Sequence, residues 1–392
     1  MSETFFKPAN RTVGIGTSIF TEISALAVQH DAVNLGQGFP DFPAPEFVKA
    51  AARAAISENH NQYAPAAGLP RLRQAVSAHW ERRHGMRWDA ADEITVTQGA
   101  TEGLFAAAMA TLNPGDEAIV FEPFYDAYVP DIQMAGALPR FVRLQPPTWS
   151  FRTEDLVAAF SPRTKVIFLN TPHNPTGKVF TEQELDVIAE LARKHNVIVI
   201  ADEVYSELTF DAPHTPIATR PGMRERTITL DSIGKTFSVT GWKIGWALAA
   251  PALTKALRAA HQFITFCNAT PFQVAAAYAL EQAPAFGYYE ELRKAYDVRR
   301  QALTAILNQA NLAPLPIAGA YFLLCDIAKQ PFATDTDFCK HLIEHVGVAA
   351  IPTSSFYANP RTAPKLARFC FAKSQAAFDE AAKRLAALPQ QP

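Results

Sequence analysis

The run Val197-Ile-Val-Ile-Ala201 is apolar at every position and leads directly into Asp202-Glu203-Val204-Tyr205. A strand that faces water on one side alternates apolar and polar residues. One that does not alternate suits burial on both faces, as in a parallel sheet covered by helices. Neighbouring segments extend that constraint. Short strands are expected over 93–97, 117–121, 165–169, 227–230 and 246–249, with helical periods over 45–56, 69–84, 101–112 and 181–195. Strands alternating with helices predict an α/β fold with a mostly parallel sheet sandwiched by helices.

Beyond about residue 284 the texture changes. A long charged helix is expected over 288–309, then apolar segments at 321–325, 348–351 and 366–371, then a terminal helix. That pattern reads as a smaller α+β domain, joined by the N-terminal segment. A chain of 392 residues is long for one core. The expected division is a segment 1–43 joining the small domain, a large domain 44–285 and a small C-terminal domain 286–392.

Composition removes several functions. With 36 basic and 38 acidic residues, a formal net charge of -2 and no basic block, nothing favours nucleic acid or an anionic membrane surface. Cys267, Cys325, Cys339 and Cys370 are scattered without metal-ligand spacing. Free thiols in a reducing compartment are expected, and no metal site. The start, Met1-Ser-Glu-Thr-Phe-Phe-Lys-Pro8, lacks a signal-peptide pattern, and no apolar stretch reaches membrane-spanning length unbroken. The expected location is the cytoplasm.

The chemistry-bearing residues gather at strand ends. Gly99-Ala100-Thr101-Glu102-Gly103 follows an expected strand and opens an expected helix. Small residues there let backbone N–H groups and the helix dipole approach a phosphate; alone, the segment is equally an ordinary strand-to-helix turn. Asn170-Thr-Pro-His-Asn174-Pro-Thr-Gly177 reads as a rigid loop whose asparagines suit a ligand oxygen, or as turn chemistry. Asp202 leaves a buried strand, which is costly unless the carboxylate is paired. It suits either a cofactor pyridine nitrogen or a structural ion pair. Tyr205 suits a cofactor phenolic oxygen or core packing. In Ser232-Ile-Gly-Lys235, an amine destined for a Schiff base needs a depressed pKa, which burial near a second cation, Lys243, supplies. Arg368, in an expected strand, offers a planar fork to a carboxylate. Lysine, acid and cation in this arrangement suit pyridoxal phosphate.

The ordered run Gly-Ala-Thr, Asn-x-x-x-Asn-Pro-x-Gly, Asp-x-x-Tyr, Ser-x-x-Lys and a late Arg-x-x-Phe resembles the fold-type I pyridoxal-phosphate-dependent aminotransferases, class I/II, over nearly the whole chain. Asn34-Leu-Gly-Gln-Gly-Phe-Pro-Asp-Phe42, Glu122-Pro-Phe-Tyr-Asp126 and Thr240-Gly-Trp-Lys-Ile-Gly-Trp246 are similar to the methionine, glutamine and kynurenine aminotransferase group, bacterial methionine aminotransferases above all. The resemblance implies that Lys235 is the Schiff-base lysine and Asp202 the pyridine-nitrogen partner. It implies Tyr205 and Asn174 as donors to the phenolic oxygen. The phosphate falls to Gly99, Ala100, Thr101, Ser232 and Lys243, and ring stacking to Phe124. Arg368, with Asn174 and the Gly36 backbone, resembles the clamp on the substrate carboxylate. Tyr63 corresponds to a tyrosine that reaches the neighbouring subunit's phosphate, which implies a homodimer with shared active sites.

Two departures bear on substrate. Lysine at 243 replaces the arginine common in the broad class, as the methionine and kynurenine group does. Cys267 stands after Phe266 where kynurenine-type enzymes tend to carry histidine, which implies a smaller, less polar pocket. The implied reaction is ping-pong transfer from an amino acid, methionine first, to a 2-oxo acid. Kynurenine or glutamine transamination and a cysteine-conjugate β-lyase are the alternatives. A cofactor-binding regulator is disfavoured, since the chain starts almost directly at the aminotransferase-like region.

Overall fold

The computed structural model describes residues 6–388, so the first residues read for a leader lie outside it. A helix near the start, α1 (Ile19–Gln29), is capped by the Ser18 hydroxyl, which accepts from the Thr21 N–H. The strands of the large sheet, in chain order, are β1 (Ile94–Gln98), β2 (Glu117–Glu122), β3 (Leu138–Arg143), β4 (Thr164–Asn170), β5 (Ile198–Asp202), β6 (Thr227–Ser232) and β7 (Ile244–Ala249). Their lateral order is β1-β7-β6-β5-β4-β2-β3.

Pairing is parallel from β6 through β5, β4 and β2 to β3. Strand β7 alone runs antiparallel, between β6 and β1. The reason lies in its connection, which holds only a one-turn helix (Ile233–Thr236) and a 3-10 turn (Thr240–Trp242). A parallel return needs a longer crossover, so this short one turns back. As the apolar run predicts, Val199 to Asp202 are all buried in β5.

The expected helix over 101–112 begins two residues earlier, as α2 (Gly99–Thr111), directly from β1. The helix expected over 181–195 is Glu182–Lys194, started by a capping box between Thr181 and Glu184. Sequence periodicity missed β3, an edge strand with a Pro and mixed exposure. It also missed a short helix, α3 (Tyr128–Met134), and the Ala-rich helices Pro251–Ile264 and Thr270–Gln282.

After the long helix Tyr288–Gln309 comes a second, antiparallel sheet of β8 (Ala313–Pro314), β9 (Phe322–Asp326), β10 (Ile351–Pro352) and β11 (Leu366–Cys370), in the order β10-β11-β9-β8. The N-terminal stretch is tied to this half. Val33–Asn34 pairs in parallel with Val348–Ala349, and the Cys370 N–H donates to the Leu35 carbonyl at 2.6 Å. One apolar cluster runs from Val204, Tyr205 and Leu208 to Tyr296, Tyr321 and Phe322, so the carboxyl end of β5 packs against the second sheet.

Candidate active site

Six strands of the large sheet run one way, so Gln98, Asn170, Asp202 and Ser232 end at one edge, where antiparallel β7 begins with Ile244. Ligands of open α/β sheets bind at that carboxyl edge. There the structure has a cavity of about 270 Å³, closed on the far side by Arg368 and Phe322 of the second sheet. Gly99, Ala100, Thr101, Asn174, Asp202, Tyr205, Ser232, Lys235, Lys243 and Arg368 all line it.

One end is built for an anion. Gly99 sits at φ +66° where β1 turns into α2, and a Cβ there would lie 3.2 Å from Lys243 Cε. Beneath it a Cβ on Gly245 would lie 2.7 Å from the Gly99 carbonyl carbon and 2.8 Å from the Ala100 nitrogen. Only glycine lets β7 run flush under this turn. The first-turn N–H groups of α2 have no intrahelical acceptor, and Lys243 Nζ donates to Thr101 Oγ1 at 3.0 Å. A dipole end, hydroxyls and an ammonium suit a phosphate. Ser232 stands at the end of β6, its N–H donating to Asp231 Oδ1 at 2.6 Å.

At the cavity floor Asp202 is 5% exposed. Burial pushes its pKa up to about 6, against the hydrogen bond from Tyr128, the Val204 N–H and the charge of Lys235. Tyr128 Oη donates to Asp202 Oδ2 at 2.8 Å, and Val204 N–H to Oδ1 at 3.3 Å. The Asn170 amide holds the backbone, donating to the Asp202 carbonyl at 2.9 Å.

Lys235 is partly exposed, opening into the cavity. Its nearest acceptor is the Gly38 carbonyl, at 3.5 Å. Burial pushes the ammonium down to about 8, helped by the charges of Lys243 and Arg368 and opposed by Asp202. Such an amine has a far larger neutral fraction near physiological pH than an ordinary lysine, and that fraction is free to act as a nucleophile or base. Tyr205 and Tyr321 meet edge-on beside it, ring centroids 5.1 Å apart, and Tyr321 Oη donates to the Gly38 carbonyl.

Opposite, Arg368 on β11 is 1% exposed. Its Nη1 donates to Asn174 Oδ1 and its Nη2 to the Gly36 carbonyl, both at 2.9 Å. The guanidinium carbon lies 4.1 Å from the Phe322 ring centroid and 4.9 Å from that of Phe20 on α1. Its Nε has no partner among the described residues. A fork with donors to spare, clamped between rings, has the geometry to receive a carboxylate.

Three expected residues lie away from the cavity wall. Gly36 acts through its carbonyl on Arg368, while its neighbours Gln37 and Gly38 line the cavity. Phe124 does not face the cavity, a correction to its expected stacking role. Its ring is buried in the apolar layer, stacked on Phe141 at 5.7 Å. The adjacent Tyr125, amphipathic and half-buried, lines the cavity instead. Tyr63 is 84% exposed and packs its ring on Phe266 at 5.4 Å, remote from the cavity of its own chain. Phe266 and Cys267 are also absent from that wall. Sequence reasoning missed Tyr128, Phe20 and Gln37; the side-chain amide of Gln37 donates to the Phe20 carbonyl at 3.0 Å and so ties the loop to α1. The spacing of Tyr128 from Tyr125 by one helical turn was the only available signal for it.

Comparison with known proteins gives the class. The family model for aminotransferase class I and II matches residues 30–385, and the chain belongs to that family. It is 40% identical to the methionine aminotransferase of Escherichia coli (strain K12), over 96% of this chain and 97% of that one. It is also 40% identical to kynurenine–oxoglutarate transaminase of Dictyostelium discoideum, over 96% and 95%. The solved structure of N-succinyldiaminopimelate aminotransferase from Mycobacterium tuberculosis superposes with a TM-score of 0.94 at 42% identity, covering 98% of this chain and all of that one. The protein is therefore a pyridoxal-phosphate-dependent aminotransferase of fold type I. The glycine-floored cradle, the buried Asp202 and the low-pKa amine of Lys235 fit that cofactor.

Proposed function

We propose that this aminotransferase takes the amino group of an apolar or aromatic L-amino acid, methionine foremost, and passes it to a 2-oxo acid in two half-reactions. The surroundings of Arg368 carry the reading. A substrate carboxylate on its free donors meets the rings of Phe20 and Phe322. Among the described residues the cations lining the cavity are Lys235, Lys243 and Arg368, each with a task. Among the described residues of this chain, no further basic group lines the cavity to meet the second carboxylate of a dicarboxylic donor.

Pyridoxal phosphate supplies the carbonyl that takes up the amino group and the electron-poor ring that stabilises negative charge at the substrate Cα. Lys235 would hold it, and its amine would carry the Cα proton as base and then acid. Asp202 holds the ring nitrogen protonated by an ionised carboxylate, with Tyr205 and the free Nδ2 of Asn174 as donors to the ring oxygen. Tyr125 covers the ring face in place of Phe124. Gly99, Ala100, Thr101, Ser232 and Lys243 hold the phosphate. Arg368, fixed by Asn174 and Gly36, would hold the substrate carboxylate and so orient the substrate in the cavity.

Two further readings belong here. Tyr63 and the exposed Phe263 and Phe266 suit a homodimer in which Tyr63 completes the neighbour's phosphate site. The free thiols suit a reducing compartment, and we assign the cytoplasm; a fluorescent fusion found outside it would overturn that. The substrate reading is tested by kcat/KM for methionine, phenylalanine, kynurenine, aspartate and N-succinyldiaminopimelate with one common 2-oxo acid. Methionine or phenylalanine should lead aspartate and the succinylated donor by about a hundredfold or more. A lead for either multiply charged donor would refute it.

A further inference from the structure

We propose that Tyr128 is a positioning residue for amino transfer: its phenol, donating to Asp202 Oδ2, keeps that carboxylate ionised and turned toward the cavity. The inference rests on the reading that Asp202 pairs with the cofactor ring nitrogen.

The geometry around Asp202 isolates the role. Its main chain is held in β5 and by the Asn170 amide and the Thr171 N–H, both donating to its carbonyl. None of these fixes rotation of the carboxylate itself. The Val204 N–H reaches Oδ1 only at 3.3 Å, a long bond, whereas Tyr128 reaches Oδ2 at 2.8 Å. Tyr128 opens α3 with a 2% exposed side chain, its ring wedged against Tyr125 and Phe168 at 5.6 and 5.4 Å. The phenol is therefore aimed by packing. It also stays a donor at any working pH, because burial and the Asp202 charge push its pKa well above the usual 10.

The other groups bearing on Asp202 do different work. Lys235 favours its charge from across the cavity, Glu203 opposes it from the next position, and Tyr205 and Tyr125 lie nearby. Among the described residues none of these makes a hydrogen bond to the carboxylate through its side chain, and Tyr128 does. A carboxylate has lone pairs to spare, so this bond leaves room for the ring nitrogen. Removing the hydroxyl favours the protonated acid, which cannot pair with a protonated ring nitrogen. The loss of cofactor affinity on acidification should then begin at a higher pH.

The test titrates pyridoxal phosphate into the apo forms of the parent enzyme, Tyr128→Phe, Asp202→Asn and Phe168→Leu between about pH 5 and 8.5, a window spanning the Asp202 transition. Binding is followed by quenching of protein fluorescence. In the parent, affinity should fall as pH drops through about 6, where Asp202 takes up its proton. Tyr128→Phe should move that midpoint upward and bind about tenfold more weakly near neutrality, yet match the parent at the alkaline end. Its kcat should fall by a similar factor with little change in KM for methionine. Phe168→Leu disturbs only the ring packing and should lower Tm without moving the midpoint. If Tyr128→Phe does not fold, 3-fluorotyrosine at 128, a stronger donor, should move the midpoint downward. An unmoved midpoint, with the transition near pH 6 lost in Asp202→Asn, would reduce Tyr128 to packing while leaving the Asp202 reading intact. An unchanged profile in Asp202→Asn would overturn both.

Discussion

Arg368 and Lys235 are cations lining one cavity, the first buried and the second partly exposed, and the protein treats them differently. The guanidinium stays charged at any working pH and is confined by two rings and two acceptors, so its energy goes into direction. The amine has one long contact and a pKa lowered to about 8, so its burial goes into reactivity. Arg368→Lys should therefore keep the fold and the cofactor but lose the fork. Charge-assisted bonds of this kind contribute about 1.5–3 kcal/mol, so KM for the amino donor should rise by about tenfold or more. Steady-state kinetics and a cofactor titration check both halves. Unchanged KM would mean that the carboxylate docks elsewhere.

At the scale of elements, the sequence exposes what burial makes regular. The apolar run marks β5 within one residue of its place, and the helical period over 181–195 marks the helix after β4, which Thr181 caps. Lys235, Asp202, Tyr205, Asn174 and Arg368 all line the cavity; Asp202 and Arg368 stand out as charged groups in buried strands, whereas Lys235, Tyr205 and Asn174 stand out through the family motifs they belong to. Other features left no such mark. Strand β3 lies at an edge, and the Ala-rich helices Pro251–Ile264 and Thr270–Gln282 carry weak start and stop signals. Phe124 and Tyr125 are adjacent aromatics, and only the packing of one on Phe141 decides which faces the cavity. The reversal of β7 depends on a short connection, and Tyr128 acts across 74 residues of sequence.

For the whole molecule, the site lies where the carboxyl edge of one sheet meets the flank of another, and the N-terminal stretch closes it through Gly36, Gln37 and Phe20. One chain leaves Tyr63, Phe263 and Phe266 largely in water, which motivates the homodimer. Light scattering should give twice the mass of one chain. Phe263→Glu should shift that mass toward one chain and weaken cofactor binding as Tyr63 leaves its neighbour. A single-chain mass for the parent with full affinity would contradict shared sites. The proposed function gives Lys235 two tasks, holding the cofactor and moving the substrate proton. Both are tested by the absorption spectrum of the loaded enzyme after adding methionine without a 2-oxo acid, for the parent and for Lys235→Ala. The parent should convert the bound pyridoxal form to the pyridoxamine form, and a 2-oxo acid should reverse it. In the alanine variant conversion should be lost and partly restored by added methylamine. Conversion by the variant at the parent's rate would contradict that reading.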